Sequence, residues 1–323
     1  LWAQHAAVND YLSVGGDTYK ITASNSDTEI VIASAVNLSA GTTYKILHAI
    51  AGTYPAGMTL FDISSVQNLL IVDRSRAFRY DGTNVRVISG SGSEGYSMPA
   101  FGALVVHKNY VFGVLHNSTD IRWSAPKDVT SWPAANFQTV TTLADPMRGF
   151  VVFNDYTIIF TRGRMFRLLG DTFDPSNPTY VLEQITTPPN FNFQYPRTAV
   201  LHNVVLKFLA ADGWYVYDGG SRIEKLSAVI QTDVDAFIAL GSAEEDFTYP
   251  AVAYVWKNDL YCKITTSAGA HRLYVQDKRG KWWLWSYATA VITDFASVQY
   301  GASGSLALAA GNFTNSDLMT LDT

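Results

Sequence analysis

The amino-acid sequence predicts an all-β protein with the fold of a six-bladed β-propeller. Turn-and-strand segments recur along the 323 residues at intervals of about 40–50 residues, which is the length of a four-stranded propeller blade. The chain also contains 18 Tyr, 17 Phe and 8 Trp, and these residue types favour strands. Because one blade cannot bury both of its faces alone, the repeats indicate one propeller body and not several small domains.

The repeats are aligned by their polar turns. Five of them share an asparagine just before a strand: Asn68, Asn109, Asn154, Asn203 and Asn258. A weaker sixth copy follows the turn at residues 300–304. The blades are therefore assigned to residues 58–90, 97–142, 148–185, 197–226, 250–287 and 294–323. Glycines after polar residues supply the positive φ angles that tight hairpin turns need, at Gly82, Gly213, Gly219 and Gly280.

Residues 9–47 differ from the blades because they alternate apolar and polar residues between closely spaced turns. This pattern predicts a small β-barrel or sandwich domain inserted into a propeller formed by residues 1–8 and 48–323. The sixth blade stops before a fourth strand. Since propellers close by pairing strands from both ends of the chain, we expect this strand to come from the N-terminal side or from residues outside the sequence.

One segment breaks the β pattern. Residues 227–240 place Val234, Phe237 and Ile238 at helical spacing, and Ser227 is positioned to cap the start. The sequence therefore predicts one amphipathic helix between the fourth and fifth blades. Its polar face carries Asp233 and Asp235 instead of basic residues, which argues against a helix that lies on a membrane surface.

The composition excludes several classes of protein. No apolar run approaches the ~18–20 residues of a membrane-spanning helix. The single cysteine, Cys262, cannot form an internal disulfide and lies in an apolar strand, where a small buried residue is expected. The net charge of −5 argues against a protein whose whole surface coats nucleic acid. The chain begins with leucine and shows no leader sequence, so we expect a removed leader or a longer parent protein.

The residues indicate no catalytic centre, no metal site and no cofactor. The histidines are scattered singly, at His5, His48, His107, His116, His202 and His271. The stretch from Ser124 to Trp132 resembles the Asp-box hairpin of sialidases, but it lacks the turn glycine and does not recur, so a propeller glycoside hydrolase is less favoured. Residues 312–317 offer oxygen ligands for calcium without the acidic density of a dedicated loop, so a polar turn is the favoured interpretation.

Two groups of arginines occupy matching places in the first and third blades. They are Arg74, Arg76 and Arg79, and then Arg162, Arg164 and Arg167. Matching positions lie on one rim or edge of a propeller, so these side chains could form a basic ring that faces a phosphate backbone or an acidic neighbour. The alternative is that the charges protect exposed strand edges from unwanted pairing, and this alternative is favoured.

Tryptophans provide a second surface hypothesis. A host-recognition propeller or lectin would use exposed indole rings as platforms on which sugars stack. Most of the tryptophans lie within strands, where core packing is expected. Trp282 and Trp283 are adjacent in one strand, so they must point to opposite faces of the sheet and one of them faces outward.

Several segments together resemble the β-propeller tail proteins of short-tailed bacteriophages, the tail nozzle or hub proteins also known as tubular tail protein B and tail stabilisation protein. The resemblance lies in residues 70–82, in Ile121–Ser124 followed by Asp128 and Trp132, and in residues 164–171, 213–220 and the helix after Ile223. The insert at residues 9–47 is also similar to β-domains of phage virion proteins. The similarity covers most of the chain, and its motifs encode mainly turns and strands.

The resemblance implies a structural virion component that is not an enzyme. Six copies would form a ring around the DNA exit channel below the head–tail connector and help retain the genome until ejection. The implied partners are copies of the chain itself, the connector or adaptor, tail fibre or spike proteins, and transiently the genomic DNA. The implied location is the phage tail. The alternative function from the residues alone is a host-receptor or glycan-binding propeller.

Overall fold

The computed structural model describes residues 10–14, 17–26, 29–33, 44–47, 57–63, 66–74, 76–88, 98–99, 101–115, 118–129, 131–173, 179–220, 223–240, 251–267, 270–285, 292–300, 305–312 and 318–322. The chain divides into two compact units. Unit 1 contains Leu1–Thr139 and Phe173–Pro178, and unit 2 contains Val140–Thr172 and Thr179–Thr323. The polar turn predicted at residues 312–317 lies outside the described residues, apart from Asn312, and so do the histidines His5, His48 and His116.

Unit 1 contains three antiparallel sheets. The first lies in the region predicted as an insert and has the order β3-β2-β1-β4, with strands β1 (Tyr11–Val14), β2 (Asp17–Ser26), β3 (Glu29–Ile32) and β4 (Tyr44–Leu47). The second is a meander of β5 (Gly57–Ile63), β6 (Val66–Val72), β7 (Ala77–Tyr80) and β8 (Val85–Val87). The third is a meander of β9 (Ala103–His107), β10 (Tyr110–Val114), β11 (Asp120–Trp123) and β12 (Phe137–Thr139).

Unit 2 contains four antiparallel meanders in chain order. The first comprises β13 (Met147–Phe153), β14 (Tyr156–Thr161), β15 (Met165–Leu169) and β16 (Val181–Ile185). The second comprises β17 (Val200–His202), β18 (Val205–Ala210), β19 (Gly213–Tyr217) and β20 (Ile223–Lys225). The third comprises β21 (Val252–Trp256), β22 (Asp259–Ser267), β23 (Ala270–Gln276) and β24 (Trp282–Trp285). The fourth comprises β25 (Ile292–Tyr300), β26 (Ser305–Asn312) and β27 (Leu318–Asp322).

Six meander sheets thus follow one another along the chain after the N-terminal sheet. The predicted all-β class with six blade-like sheets is confirmed. The last sheet has three strands in its described part, and the origin of a fourth strand stays a prediction.

The hairpin between the first two strands of a sheet is a tight turn with left-handed residues. Both central residues have positive φ at Lys108–Asn109, Asn203–Val204 and Lys257–Asn258, which is the requirement of a type I′ turn. The predicted asparagine anchors therefore lie within the turn: Asn109 and Asn258 are the second central residue, and Asn203 is the first. Asn68 is different, because it lies inside β6, where it is buried and donates its side-chain amide to the carbonyl of Val66 at 2.6 Å. Using Asn68 as a turn anchor was wrong.

Apolar layers lie between consecutive sheets within each unit. In unit 1 the layer between the sheets of β5–β8 and β9–β12 includes Phe61, Leu70 and Val111. In unit 2 one layer joins the sheets of β13–β16 and β17–β20 through Phe160, Phe193 and Phe208, whose rings are in contact. Further layers cover both faces of the sheet of β21–β24: Leu260, Cys262 and Ile264 point to one side, Tyr261 and Leu273 to the other. The predicted burial of Cys262 is confirmed.

The predicted helix is present in a shorter form. A 3₁₀ turn at Ser227–Val229 precedes α1 (Gln231–Ala239), whose buried residues are Val234 and Phe237. Ser227 does not cap the helix: the N-cap is Ile230, and the Ser227 hydroxyl donates to the Gln231 side chain at 2.5 Å. The described part of the chain contains no helix that is long and apolar enough to cross a membrane.

An aromatic cluster covers the remaining face of the third sheet in unit 1. Trp123 is fully buried, and its indole N–H donates to the carbonyl of Phe173 at 2.7 Å. The Phe173 ring lies edge-on to those of Phe112 and Tyr110, with centroids 4.9 Å and 5.3 Å away. Phe173 follows β15 in sequence, so this cluster fixes a distant part of the chain to unit 1.

We expect Trp123→Phe to lower the free energy of unfolding by about 2–4 kcal/mol, because it opens a cavity and leaves the Phe173 carbonyl without its donor. The measurement is urea denaturation followed by fluorescence. Trp283→Phe is the control: Trp283 is 48% exposed, so the loss should stay below about 0.5 kcal/mol. Equal losses in the two variants would contradict the role assigned to Trp123.

Candidate functional site

The arginines of the first group are half-buried. Arg76 donates from Nη1 to the carboxylate of Asp10 at 2.8 Å, and its guanidinium lies 5.0 Å from the ring centroid of Phe78. Asp10 is fully buried, so this ion pair is a structural contact within unit 1. Arg74 adopts a left-handed φ of 69° after β6, and Arg79 lies in β7 opposite Leu70.

Two arginines of the second group pair with carboxylates inside unit 2. Arg164 donates from Nε to Asp145 Oδ2 at 2.7 Å, and the same carboxylate accepts from the Gly163 amide at 2.6 Å and the Thr161 hydroxyl at 2.9 Å. Burial opposes ionisation of Asp145, but these hydrogen bonds hold its pKa below the usual value. Arg167 donates to its cross-strand partner Glu183 at 2.6 Å.

Arg162 is the exposed member of the second group. The structure therefore brings together Arg164 and Asp145, which sequence reasoning did not connect, and leaves one guanidinium of this group at the surface. The two arginine groups belong to different units, and a basic ring formed by both stays a prediction.

A buried polar cluster lies between the sheets of β17–β20 and β21–β24. His202 Nε2 is 2.8 Å from the carbonyl of Asn258, so this nitrogen carries the proton and Nδ1 accepts a hydrogen bond from the Lys207 ammonium at 2.7 Å. Lys207 also donates to Gln276 Oε1 at 2.6 Å. His202, Lys207 and Gln276 are all buried. No carboxylate among the described residues pairs with Lys207.

Lys207 departs from the pattern of the neighbouring sheets. Lys207 is the third residue of β18, the second strand of its sheet. The third residue of the second strand is Ile158 in the preceding sheet and Tyr261 in the following sheet, and both are buried in apolar layers. Burial lowers the pKa of Lys207 to about 8. Burial also lowers the pKa of His202, and the Lys207 charge lowers it further, against the opposing effect of the hydrogen bond to Asn258.

A second lysine is buried on β22. Lys263 lies two residues beyond Tyr261, at a position occupied by Phe160 and Leu209 in the two preceding sheets. Burial lowers its pKa to about 7, and the charge of Arg197 adds to this effect. Buried lysines of lowered pKa are typical of functional sites and also of structural hydrogen-bond networks. The lowered pKa alone therefore does not assign Lys263 to either.

The two tryptophans of the surface hypothesis have separate environments. Trp282 packs with the layer that contains α1, edge-on to Tyr274 with ring centroids 6.3 Å apart. Trp283 points to the other face of β24 and is 48% exposed, with the Lys281 ammonium 4.0 Å from its ring centroid. The outward-facing member of the pair is therefore Trp283.

A groove of about 280 Å³ runs between α1 and β24. Its lining residues are Val229, Ile230, Thr232, Asp233, Tyr274, Trp282, Trp283 and Leu284. The Tyr274 hydroxyl donates to the carboxylate of Asp233. Burial and this hydrogen bond raise the pKa of Tyr274 above its ordinary value. Among the described residues of the lining, Asp233 is the only charged one, so this part of the groove combines apolar walls with one negative charge.

The stretch from Ser124 to Trp132 has a structural role. The Ser124 hydroxyl accepts from the Val111 amide at 3.1 Å and donates to the Ala125 carbonyl at 2.8 Å. The Trp132 indole donates to the carbonyl of Val129 at 2.8 Å. Across the described residues, no group of three or more His, Cys, Asp and Glu side chains is placed to hold a metal ion.

No known protein family and no curated protein sequence matches the chain. Among solved structures it is similar to the extracellular domain of the hybrid two component system BT4673 from B. thetaiotaomicron, with a TM-score of 0.53 and 12% identity. That alignment covers 84% of this chain and 34% of the other, so this chain spans about a third of that protein. It is also similar to streptogramin B lyase, with a TM-score of 0.50 and 8% identity over 94% of this chain and 91% of the lyase. The fold is a β-propeller.

The lyase also corrects the sequence-based expectation that the chain is not an enzyme. An enzyme by name aligns with this propeller over 91% of its own length. The fold therefore gives no reason to exclude catalysis, and the exclusion was wrong because it rested on a resemblance in turns and strands.

The Lys207 cluster predicts a specific pH dependence. The charged form is disfavoured in the folded state, so the native protein should gain stability as pH rises from about 8 to 10.5, where the unfolded chain still binds the proton. Lys207→Met lacks this titration. The unfolding free energy of the wild-type protein minus that of the Lys207→Met variant should therefore increase by roughly 1–3 kcal/mol between pH 7 and pH 10. Urea denaturation at several pH values in this range measures the difference. A difference that does not change with pH would show that burial does not lower the pKa of Lys207.

Proposed function

We propose that this chain is a structural component of a bacteriophage tail, a nozzle or hub protein placed around the DNA exit channel. The observation that supports the proposal is that several residues of the family resemblance are buried inside the sheets. In the Ile121–Ser124 segment, Ile121 and Trp123 are fully buried and Ser124 joins two strands. Motif positions with such roles support a shared architecture.

The other motif segments have comparable roles. In residues 164–171, Met165, Phe166 and Leu168 are buried. In residues 213–220, Trp214 and Tyr217 are buried, and Gly219 has a φ of 93°. A Cβ atom added at Gly219 would lie 2.9 Å from the Phe153 ring, so both the backbone and the space favour glycine there.

The proposed role follows from rigid blades. Sheets that are covered on both faces deform little, so copies of the chain can assemble side by side into a ring that keeps a constant bore. The neighbours would be the head–tail connector on one side and tail fibres or spikes on the other, with transient contact to the genome. Arg162, as the exposed guanidinium of its group, is the candidate for a phosphate contact.

In particles purified from a phage whose genome encodes this chain, we expect quantitative mass spectrometry to find about six copies per virion, and cryo-electron microscopy to place them in a ring at the tail. Absence of the chain from purified particles would refute the tail assignment.

The phage variant Arg162→Ser should assemble normally but lose its genome sooner on storage, because one phosphate contact per copy is removed. Lys278→Ser removes an exposed charge from a turn of another sheet and is the matched control. If both variants retain the genome as well as the unmodified phage, Arg162 makes no phosphate contact, and protection of the strand edge remains as its role.

A second candidate function is recognition of a host glycan or receptor, and the exposed indole of Trp283 favours it. Aromatic faces at protein surfaces provide stacking platforms with an apolar body and a polar edge. The Lys281 ammonium lies 4.0 Å from the centroid of the Trp283 ring, and the indole N–H points to Asp277 Oδ2 at 3.5 Å.

If Trp283 binds sugar, the recombinant chain should bind particular glycans on an array, and Trp283→Ala should weaken that binding at least about tenfold. Phe137→Ala removes another exposed aromatic ring, 44% accessible, and should leave binding unchanged. An array without reproducible binding would eliminate this candidate and would leave the tail assignment intact.

A further inference from the structure

The outer strand of each sheet has one edge that no neighbouring strand of that sheet covers. Exposed edges are templates for pairing with another chain, and proteins normally protect them with charged residues, proline or bulges. Three of the outer strands carry charges: Arg86 in β8, Glu183 in β16, and Glu224 with Lys225 in β20. The outer strand β12 contains the polar pair Gln138–Thr139.

The outer strand β24 lacks this protection. It reads Trp-Trp-Leu-Trp, without a charged or polar residue. It pairs with β23 on one side, and no described strand pairs with its other side over Trp282–Leu284. Trp283 and Leu284 are each 48% exposed although they are large and apolar. Such a strand is expected at a pairing surface.

The strand β24 borders the groove toward α1. Trp282, Trp283 and Leu284 are among the lining residues of this groove, opposite Val229, which is 79% exposed. The ring of Trp283 also lies next to Lys281, whose ammonium is 4.0 Å from the ring centroid. Because neighbouring residues of a strand point to opposite faces, an added strand would place alternate side chains in the groove and on the Trp283 ring.

The groove also selects for charge. Asp233 lies at its wall and accepts a hydrogen bond from Tyr274, and the lining residues that the structure describes include no basic side chain. A carboxylate in a partly apolar environment attracts a cation, since an opposite charge offsets its desolvation. A basic residue of the added strand would therefore face Asp233.

We propose that β24 is a strand-addition site, which pairs with an extended segment of a different protein that alternates apolar residues and carries a basic residue next to Asp233. Backbone hydrogen bonds to the open edge provide affinity, and the groove and the Trp283 ring provide selectivity. This site goes beyond the tail assignment and is independent of it, because all of its residues belong to one chain.

The test uses a fluorescein-labelled synthetic peptide in which a lysine precedes alternating valine and threonine. Fluorescence anisotropy should show saturable binding to the intact chain, and hydrogen–deuterium exchange should show slower exchange at Trp282–Leu284 in the complex. The same peptide with alternate backbone nitrogens methylated cannot form the ladder hydrogen bonds. Its affinity should be at least about tenfold lower.

Two variants of the protein and one control variant test the location. Leu284→Glu adds a charge to the exposed edge and should weaken peptide binding at least about tenfold, while Val181→Glu, at a 52% exposed position of the outer strand β16, should leave it unchanged. Asp233→Asn should reduce binding of the lysine peptide by about threefold and should not affect a peptide with threonine in place of lysine.

Three results would overturn the proposal. One is binding that backbone methylation or Leu284→Glu leaves unchanged, since this would indicate attraction that does not involve the edge. Another is failure of the intact chain to bind the peptide at all. The third is concentration-dependent self-association that Leu284→Glu abolishes while no peptide binds, because the occupant would then be a second copy of the chain.

Discussion

The structure depends on apolar layers that are buried between consecutive sheets. The second strand of a sheet lies in the middle of this arrangement, and it is buried along most of its length, as in β10 and β14. Large rings such as Phe160 and Phe208 fill the space between sheets. The side chains of these middle strands are packed between sheets. The turns and the outer strands are therefore the places where one repeat can differ from another without loss of the fold.

Two polar clusters of unit 2 obtain their hydrogen bonds from residues of other strands and loops. Asp145 accepts bonds from an amide, a hydroxyl and a guanidinium, and it joins a loop to a hairpin of the same sheet. Lys207 obtains partners from His202 and Gln276 but no negative charge among the described residues. Its desolvation is therefore only partly offset, in contrast to the apolar residues at the equivalent positions. This cluster is the clearest departure from the repeat inside unit 2.

The outer strands carry the differences that bear on function. The outer strands β16 and β20 contain charged residues, whereas β24 is wholly apolar, borders a groove and has no partner on its outer side among the described strands. A propeller also supports a lyase in a protein of almost the same aligned extent, so the scaffold itself does not select one activity. For the proposed tail protein, rigid sheets would supply the ring and an open edge would supply attachment to another component.

The sequence alone determined most of the strands, the tight turns, the helix between the fourth and fifth blades and the six-sheet repeat, because these follow from contacts between residues close in the chain. It failed at Asn68 and at Ser227, where a turn and a cap were assigned to residues that the tertiary structure uses otherwise. Only the tertiary structure paired Arg164 with Asp145, 19 residues earlier, and Lys207 with Gln276, 69 residues later. It also decided which of two adjacent tryptophans is exposed. The alternation of residues along a strand predicts which face of the sheet a side chain lies on. It does not predict which residue the side chain contacts there, because that residue comes from another part of the chain.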